Sequence, residues 1–328
     1  MLNNRVILLF FCVILSGLGC EKYSDLPQQK DLDSWVIHNK TNGLFSDRIW
    51  CLHADSKGNI WAGSTERGLM KYDGSQWTNL STAHGLTDNY VTAIEEDQNG
   101  DLWIGTLNGF SIYDGSNFSN FYGTDGNIWT VLSLKSDLQG DMWIGTMSHG
   151  LFEVTSNGIN EYSSGTNEDA NYVNDIDISE DGSVWAATNA GVYKISNNSA
   201  RLYTTADGLS SDIVKAVHCD SWGDIWMGTW EGEFITKYSE GQFSEVSLFN
   251  STYQAYVNSL TEDHTGNIWI ALIADGVVKY DGAAMRSYSV DDGLPGITIM
   301  DIISDNKGNI WFGSFEDGIS VYIPGITN

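Results

Sequence analysis

The signature D-x-x-G-x-(I/L/M/V)-W recurs along this chain and constrains its fold more than any other feature. It reads DSKGNIW at Asp55–Trp61, DQNGDLW at Asp97–Trp103 and DLQGDMW at Asp137–Trp143. Ser179–Trp185 (SEDGSVW) follows with Ser in the first place, and then Asp220–Trp226, Asp263–Trp269 and Asp305–Trp311. Successive tryptophans stand 40 to 43 residues apart. A period of that length is the mark of an array of like supersecondary units.

Each unit contains four short strand signals. An apolar strand A, such as Val91–Glu95, leads into the signature. The Asp side chain can accept backbone N–H bonds there, and the Gly can take positive φ, so the segment turns strand A into strand B. A second glycine opens strand C, as at Gly109–Tyr113. Asp-Gly pairs at Asp73-Gly74, Asp114-Gly115 and Asp281-Gly282 then suit type I′ turns into strand D. One such sheet cannot bury its own faces, whereas seven stacked radially can, with the signature tryptophans between them. The expected fold is all-β: a seven-bladed β-propeller of four-stranded antiparallel blades.

The last unit lacks a strand D, because Pro324 follows strand C. The missing strand lies at the other end of the chain. Trp35 precedes Gly43 by the interval that separates Trp77 from Gly85 and Met285 from Gly293. Residues 34–38 are therefore expected to complete blade 7 and close the ring, which protects both open edges. The propeller then occupies residues 34–328.

Gly85–Gly115 resembles the two-component regulator propeller repeat, whose pattern is G-L-x-x-(N/D)-x-V ahead of the signature and G-T-x-x-G-(L)-x-x-Y-D-G after it. The resemblance extends over about Trp35–Tyr322. In that family such propellers are extracytoplasmic sensor regions of bacterial hybrid kinases, many responding to glycan fragments. No kinase or receiver segment is recognisable in the 328 residues. The resemblance thus implies ligand binding or sensing rather than phosphate relay.

Residues 1–19 read as a signal peptide, with Arg5 ahead of the apolar run Val6–Leu15. Small residues lead into Cys20, which resembles the bacterial lipoprotein processing site. That resemblance implies lipid on Cys20, residues 20–33 as a polar tether, and attachment at the cell envelope by the lipid alone. Glu21 rather than Asp follows the cysteine. Since Asp there is the usual inner-membrane retention signal, the outer membrane is expected. Of the other cysteines, Cys12 falls in the signal, and Cys51 and Cys219 lie in distant blades, so both are expected to be reduced.

The net charge of −27 disfavours nucleic acids and anionic lipid surfaces. No cofactor motif is present and no metal site is expected: Asp175 and Asp301, each four residues before a signature, are too isolated to cage a cation. Residues demanded by the fold recur in every blade, so unrepeated ones in the loops of one face are the better functional candidates. In the B–C loops these are Arg67, His149, Trp230, Glu231 and Glu316. Near the start of strand A they are Trp50, Tyr90, Trp129, Tyr172, Lys215 and Tyr256. Trp50, Arg67, Trp129, His149, Trp230 and Glu231 are the expected ligand-binding set, because aromatic rings with interspersed polar groups suit a small glycan or peptide. A scaffold for an envelope protein partner is one alternative. A second is an enzyme like the streptogramin lyases, which resemble this chain in architecture and use a His and Glu set; here only His84 and His149 fall in the relevant loops. Replacing Cys20 by Ser should abolish incorporation of labelled fatty acid and release the protein from membranes, and a wild type found free in the periplasm would refute the lipid anchor.

Overall fold

The computed structural model describes residues 33–123, 127–162, 167–197, 199–230, 234–248 and 256–325. These form seven four-stranded antiparallel sheets around a central channel. Blade 1 contains Ile49–Ala54, Ile60–Ser64, Leu69–Tyr72 and Trp77–Leu80 as strands A to D. The A strands of blades 2 to 7 are Val91–Glu96, Val131–Ser136, Val173–Ile178, Val214–Cys219, Val257–Glu262 and Ile299–Ser304.

The signature aspartate carries two loads. In blade 1 its Oδ1 accepts the amides of Lys57 and Asn59, which shapes the A–B turn, while its Oδ2 accepts the indole N–H of Trp61 at 2.8 Å. The same indole bond recurs in blades 2, 3, 5, 6 and 7. In blade 4 Ser179 cannot reach, and the buried Trp185 Nε1 has no partner. The tryptophans fill the gaps between neighbouring blades: Trp61, Trp143, Trp185, Trp226, Trp269 and Trp311 are buried, and Trp103 stacks on Phe110.

Each blade must also approach the next closely at the channel. A Cβ added to Gly63 of strand B would stand 2.6 Å from Val91 Cγ1 of blade 2. Gly105 and Gly145 meet Val131 and Val173 in the same way. Every A strand carries a bulge at one place, where the register shifts around Trp50, Thr92, Leu132, Asn174, Lys215, Asn258 and Met300. Those seven residues sit five positions before each signature.

Ring closure is as expected. Ser34–His38 pairs antiparallel with Ile319–Ile323, with Trp35 opposite Tyr322 and His38 opposite Ile319. Trp35 packs against Tyr288, Phe312 and Tyr322, and His38 stacks on Trp311. Asp33 fastens the junction by accepting the Tyr322 hydroxyl at 2.6 Å and the Gly325 amide at 2.8 Å. Cys51 and Cys219 are free. Among the described residues no helix is long and apolar enough to cross a membrane. Because Trp35 is the main apolar body holding the closing strand, Trp35→Ala should cost about 3 kcal/mol, measured by denaturant unfolding. An unchanged midpoint would mean that the strand does not clasp the ring.

Candidate functional site

The B–C loops and D–A linkers meet on one face, the top. The amide of Gly68 donates to Asn89 O, that of Gly109 to Trp129 O and that of Gly318 to Asp47 O. There the channel opens into a funnel of about 400 Å³. The bulge residues line it, because a bulge re-aims one side chain out of the sheet ladder.

One wall is built around Lys215. Its ammonium lies 5.2 Å from the Tyr172 ring centroid and 5.3 Å from that of Trp230. It donates to Asn174 Oδ1 at 3.1 Å and Asn189 Oδ1 at 3.0 Å. Burial lowers the Lys215 pKa. Asn174 in turn donates to Val214 O, tying blade 4 to blade 5. Trp230, 37% exposed, leans on Tyr256, and Trp50 packs edge-on to Tyr90 on another wall. Asn258 donates to Met300 O. Asp175 and Asp301 stand one residue deeper, where burial pushes their carboxyls up to about 7 and about 6.

A second polar ring lies below. Lys135 Nζ is 2.8 Å from Asp177 Oδ1, and His218 Nδ1 is 3.4 Å from Asp177 Oδ2. His53 faces Glu95. Burial lowers the His53 pKa. Asp177 raises the Lys135 pKa. These contacts link consecutive inner strands, so they serve the ring.

Of the expected ligand-binding set, Trp50 and Trp230 do line the funnel. Arg67 is exposed on a B–C loop and His149, beside Ser148 Oγ, is half-buried on another; neither lines the funnel. Trp129 requires a correction. It is only 2% exposed and stacks on Phe152 with centroids 4.0 Å apart, in a cluster with Phe110 and Val131. The linker into blade 3 lacks the Gly-Leu step whose leucines, Leu44, Leu86, Leu209 and Leu294, are buried elsewhere, and Trp129 supplies the apolar body instead. Glu231 and Cys20 lie outside the described residues. Lys215 and Tyr172 stood among the wider candidates, but Asn174 and Asn258 did not. Alignment at five residues before each signature finds Asn174, Lys215 and Asn258 together, since that is the bulge.

Asp137, Asp141 and Glu153 bring carboxylate oxygens within 4.8 Å of one another on blade 3. Asp137 is occupied with Trp143 and the turn amides, and Glu153 with Asn160 and Tyr162, so the group belongs to the blade's own framework.

These features define a repeat propeller with a polar-aromatic funnel at its top face. The family model described as Two component regulator propeller matches residues 43–66, 85–108 and 293–316, so blades 1, 2 and 7 each begin with a copy of this repeat. No curated protein sequence matches it. Among solved structures it is similar to the extracellular domain assigned to the hybrid two component system BT3049 of B. thetaiotaomicron, at 19% identity and a TM-score of 0.74 over 88% of this chain and 42% of that one. The corresponding domain of BT4673 from the same organism gives 22% identity and a TM-score of 0.71, over 88% and 39%. The chain thus spans about two fifths of those domains. A streptogramin B lyase gives 16% identity and a TM-score of 0.76, over 89% and 98%. At such identities the likeness establishes the fold.

Two sets of carboxyls govern the response to pH. Burial raises Asp55, but the bonds from Asn59, Trp61 and the turn amides outweigh it and hold the group below its ordinary 3.8; Asp263 behaves alike. That stabilisation is complete above about pH 4 and is lost as pH falls through the lowered values. Asp175 and Asp301 are raised, so the fold favours their protonated forms. Their contribution is complete below about pH 4 and is lost as pH rises through about 6 and 7. Thermal melting should therefore be highest near pH ~4–5 and decline towards both pH ~2 and pH ~8. Asp175→Asn should flatten the alkaline decline; an equally steep one would show that this carboxyl is not its source.

Proposed function

We propose that the protein is a ligand-binding or sensing propeller of the cell envelope, whose top-face funnel takes a small saccharide. The observation that carries this reading is convergence: the residues that vary between blades at the bulge meet in one cavity with Tyr172 and Trp230. Trp230 and Trp50 offer ring faces to the apolar face of a sugar, while Asn174, Lys215 and Asn258 offer fixed donors and acceptors to its hydroxyls. The extracellular domains of BT3049 and BT4673 support an envelope setting, as do the signal-like N-terminus and Cys20. The described lining contains no histidine, so it offers no His and Glu set of the kind implied by the lyase resemblance.

A scaffold role has its own support. Leu107, Tyr122, Ile128 and Met147 are 39% to 56% exposed near the junction of blades 2 and 3. Thr130 bonds to the backbone of both Leu107 and Met147, which holds the two B–C loops together.

An oligosaccharide array followed by calorimetry tests the funnel. Trp230→Ala should weaken binding by about 1–3 kcal/mol with little change in melting temperature. Trp129→Ala should do the reverse, costing about 3–5 kcal/mol of stability as a buried ring is removed. A folded Trp230→Ala protein that binds as well as the wild type would place the ligand elsewhere.

A further inference from the structure

The inner edge of each A strand faces the channel, and its outward-pointing amides need acceptors. At blade 1, Leu52 N donates to Asp301 Oδ2 of blade 7 at 2.7 Å. At blade 5, Val217 N donates to Asp175 Oδ2 of blade 4 at 2.9 Å. Each carboxylate also takes the amide of its own next residue, Ile176 at 2.9 Å and Ile302 at 2.8 Å. The carboxyl groups of Asp175 and Asp301 are therefore built-in acceptors, each bridging the edge amides of two adjacent blades.

The register is the same around the ring, with Leu52 opposite Ala62, Ile94 opposite Ile104 and Leu134 opposite Ile144. The equivalent amides thus belong to Leu52, Ile94, Leu134, Ile176, Val217, Leu260 and Ile302. Asp301 serves the step from blade 7 to blade 1, and Asp175 the step from 4 to 5. Four of the remaining steps share an amide with one already served. Only the step from blade 2 to blade 3 leaves both amides, Ile94 and Leu134, without a side-chain acceptor among the described residues. The residue that would supply the aspartate there is Ala93. All three line the funnel. Lys215 faces the same cavity with amide oxygens, not a carboxylate, as its hydrogen-bond partners.

We propose that the ligand brings the missing acceptor: the funnel receives the carboxylate of a sugar acid, which bridges the amides of Ile94 and Leu134 in the space Ala93 leaves open. Lys215 supplies positive potential from the far wall. This rests on the reading of the funnel as a saccharide site and adds the charge and seat of the ligand. Backbone amides that converge on one point hold anions without a charged side chain.

The probes are oligosaccharides ending in a hexuronate and the same compounds with that carboxyl reduced to an alcohol. The wild type should bind the acid forms about ten- to a hundredfold more tightly than the reduced ones. Ala93→Asp places the protein's own carboxylate in the seat, as blades 4 and 7 do. It should keep or raise the melting temperature and abolish the preference for the acid probes over the reduced ones. Lys215→Met should weaken the acid probes selectively. Equal binding of acid and reduced forms, or full acid binding by folded Ala93→Asp, overturns the proposal. If Trp230→Ala still abolishes binding in that case, the saccharide funnel stands. Failure of every acid probe to bind also overturns it, as does preferential capture of a peptide through its free C-terminal carboxylate.

Discussion

The hydrogen bond from the signature tryptophan's indole to the signature aspartate holds the A–B turn and the inter-blade core in one piece. An indole N–H buried between two sheets needs an acceptor, and a carboxylate needs donors if it is to stay ionised at the rim of a core. Each supplies what the other lacks. On the far side of the ring, Lys71, Lys194, Lys237 and Lys279 lie about 5 Å above the tryptophans of blades 1, 4, 5 and 6. The indole is thus gripped at its edge and covered on its face. Blade 4 shows what the bond is worth to the turn. With Ser179 in place, Asp181 takes over the Ser183 amide and the turn survives, but Trp185 loses its acceptor.

Fixing that corner fixes the register of every inner strand, and with it the bulge five residues upstream. The bulge side chain leaves the ladder for the channel, where neighbouring blades impose no packing demand on it. Variation is therefore cheap there and costly two residues further on, where Leu52, Leu134 and Val217 are buried between blades. A funnel of Trp, Asn, Lys and Met at one level is the product of a rigid repeat that leaves one position per unit free.

The signature, the strand count and the closing strand were legible because each leaves a mark in spacing: a constant interval, an Asp-Gly pair, an orphan strand eight residues ahead of a glycine. The funnel was half legible. Trp50 and Trp230 stood out by size, but so did Trp129, which fills a hole left by a missing leucine. Size alone does not separate a rim tryptophan from a core one. The bulge itself leaves no trace in the interval between repeats, since every blade has it. The edge amides of Ile94 and Leu134 carry no side-chain signal at all, and Ala93 reads as one more small residue on a crowded strand.

The closing strand also decides which way the molecule looks. Ser34 pairs with Ile323, at the end of strand C remote from the B–C loop, so the polypeptide reaches the propeller on the side of the A–B and C–D turns. The funnel mouth is on the opposite side. Asp33, the first described residue, therefore lies at the base of the propeller, on the face opposite the cavity. A pull applied at Asp33 would act first on Ser34 and Trp35, the latch that joins blade 7 into a ring, so it would load the closure before any other strand.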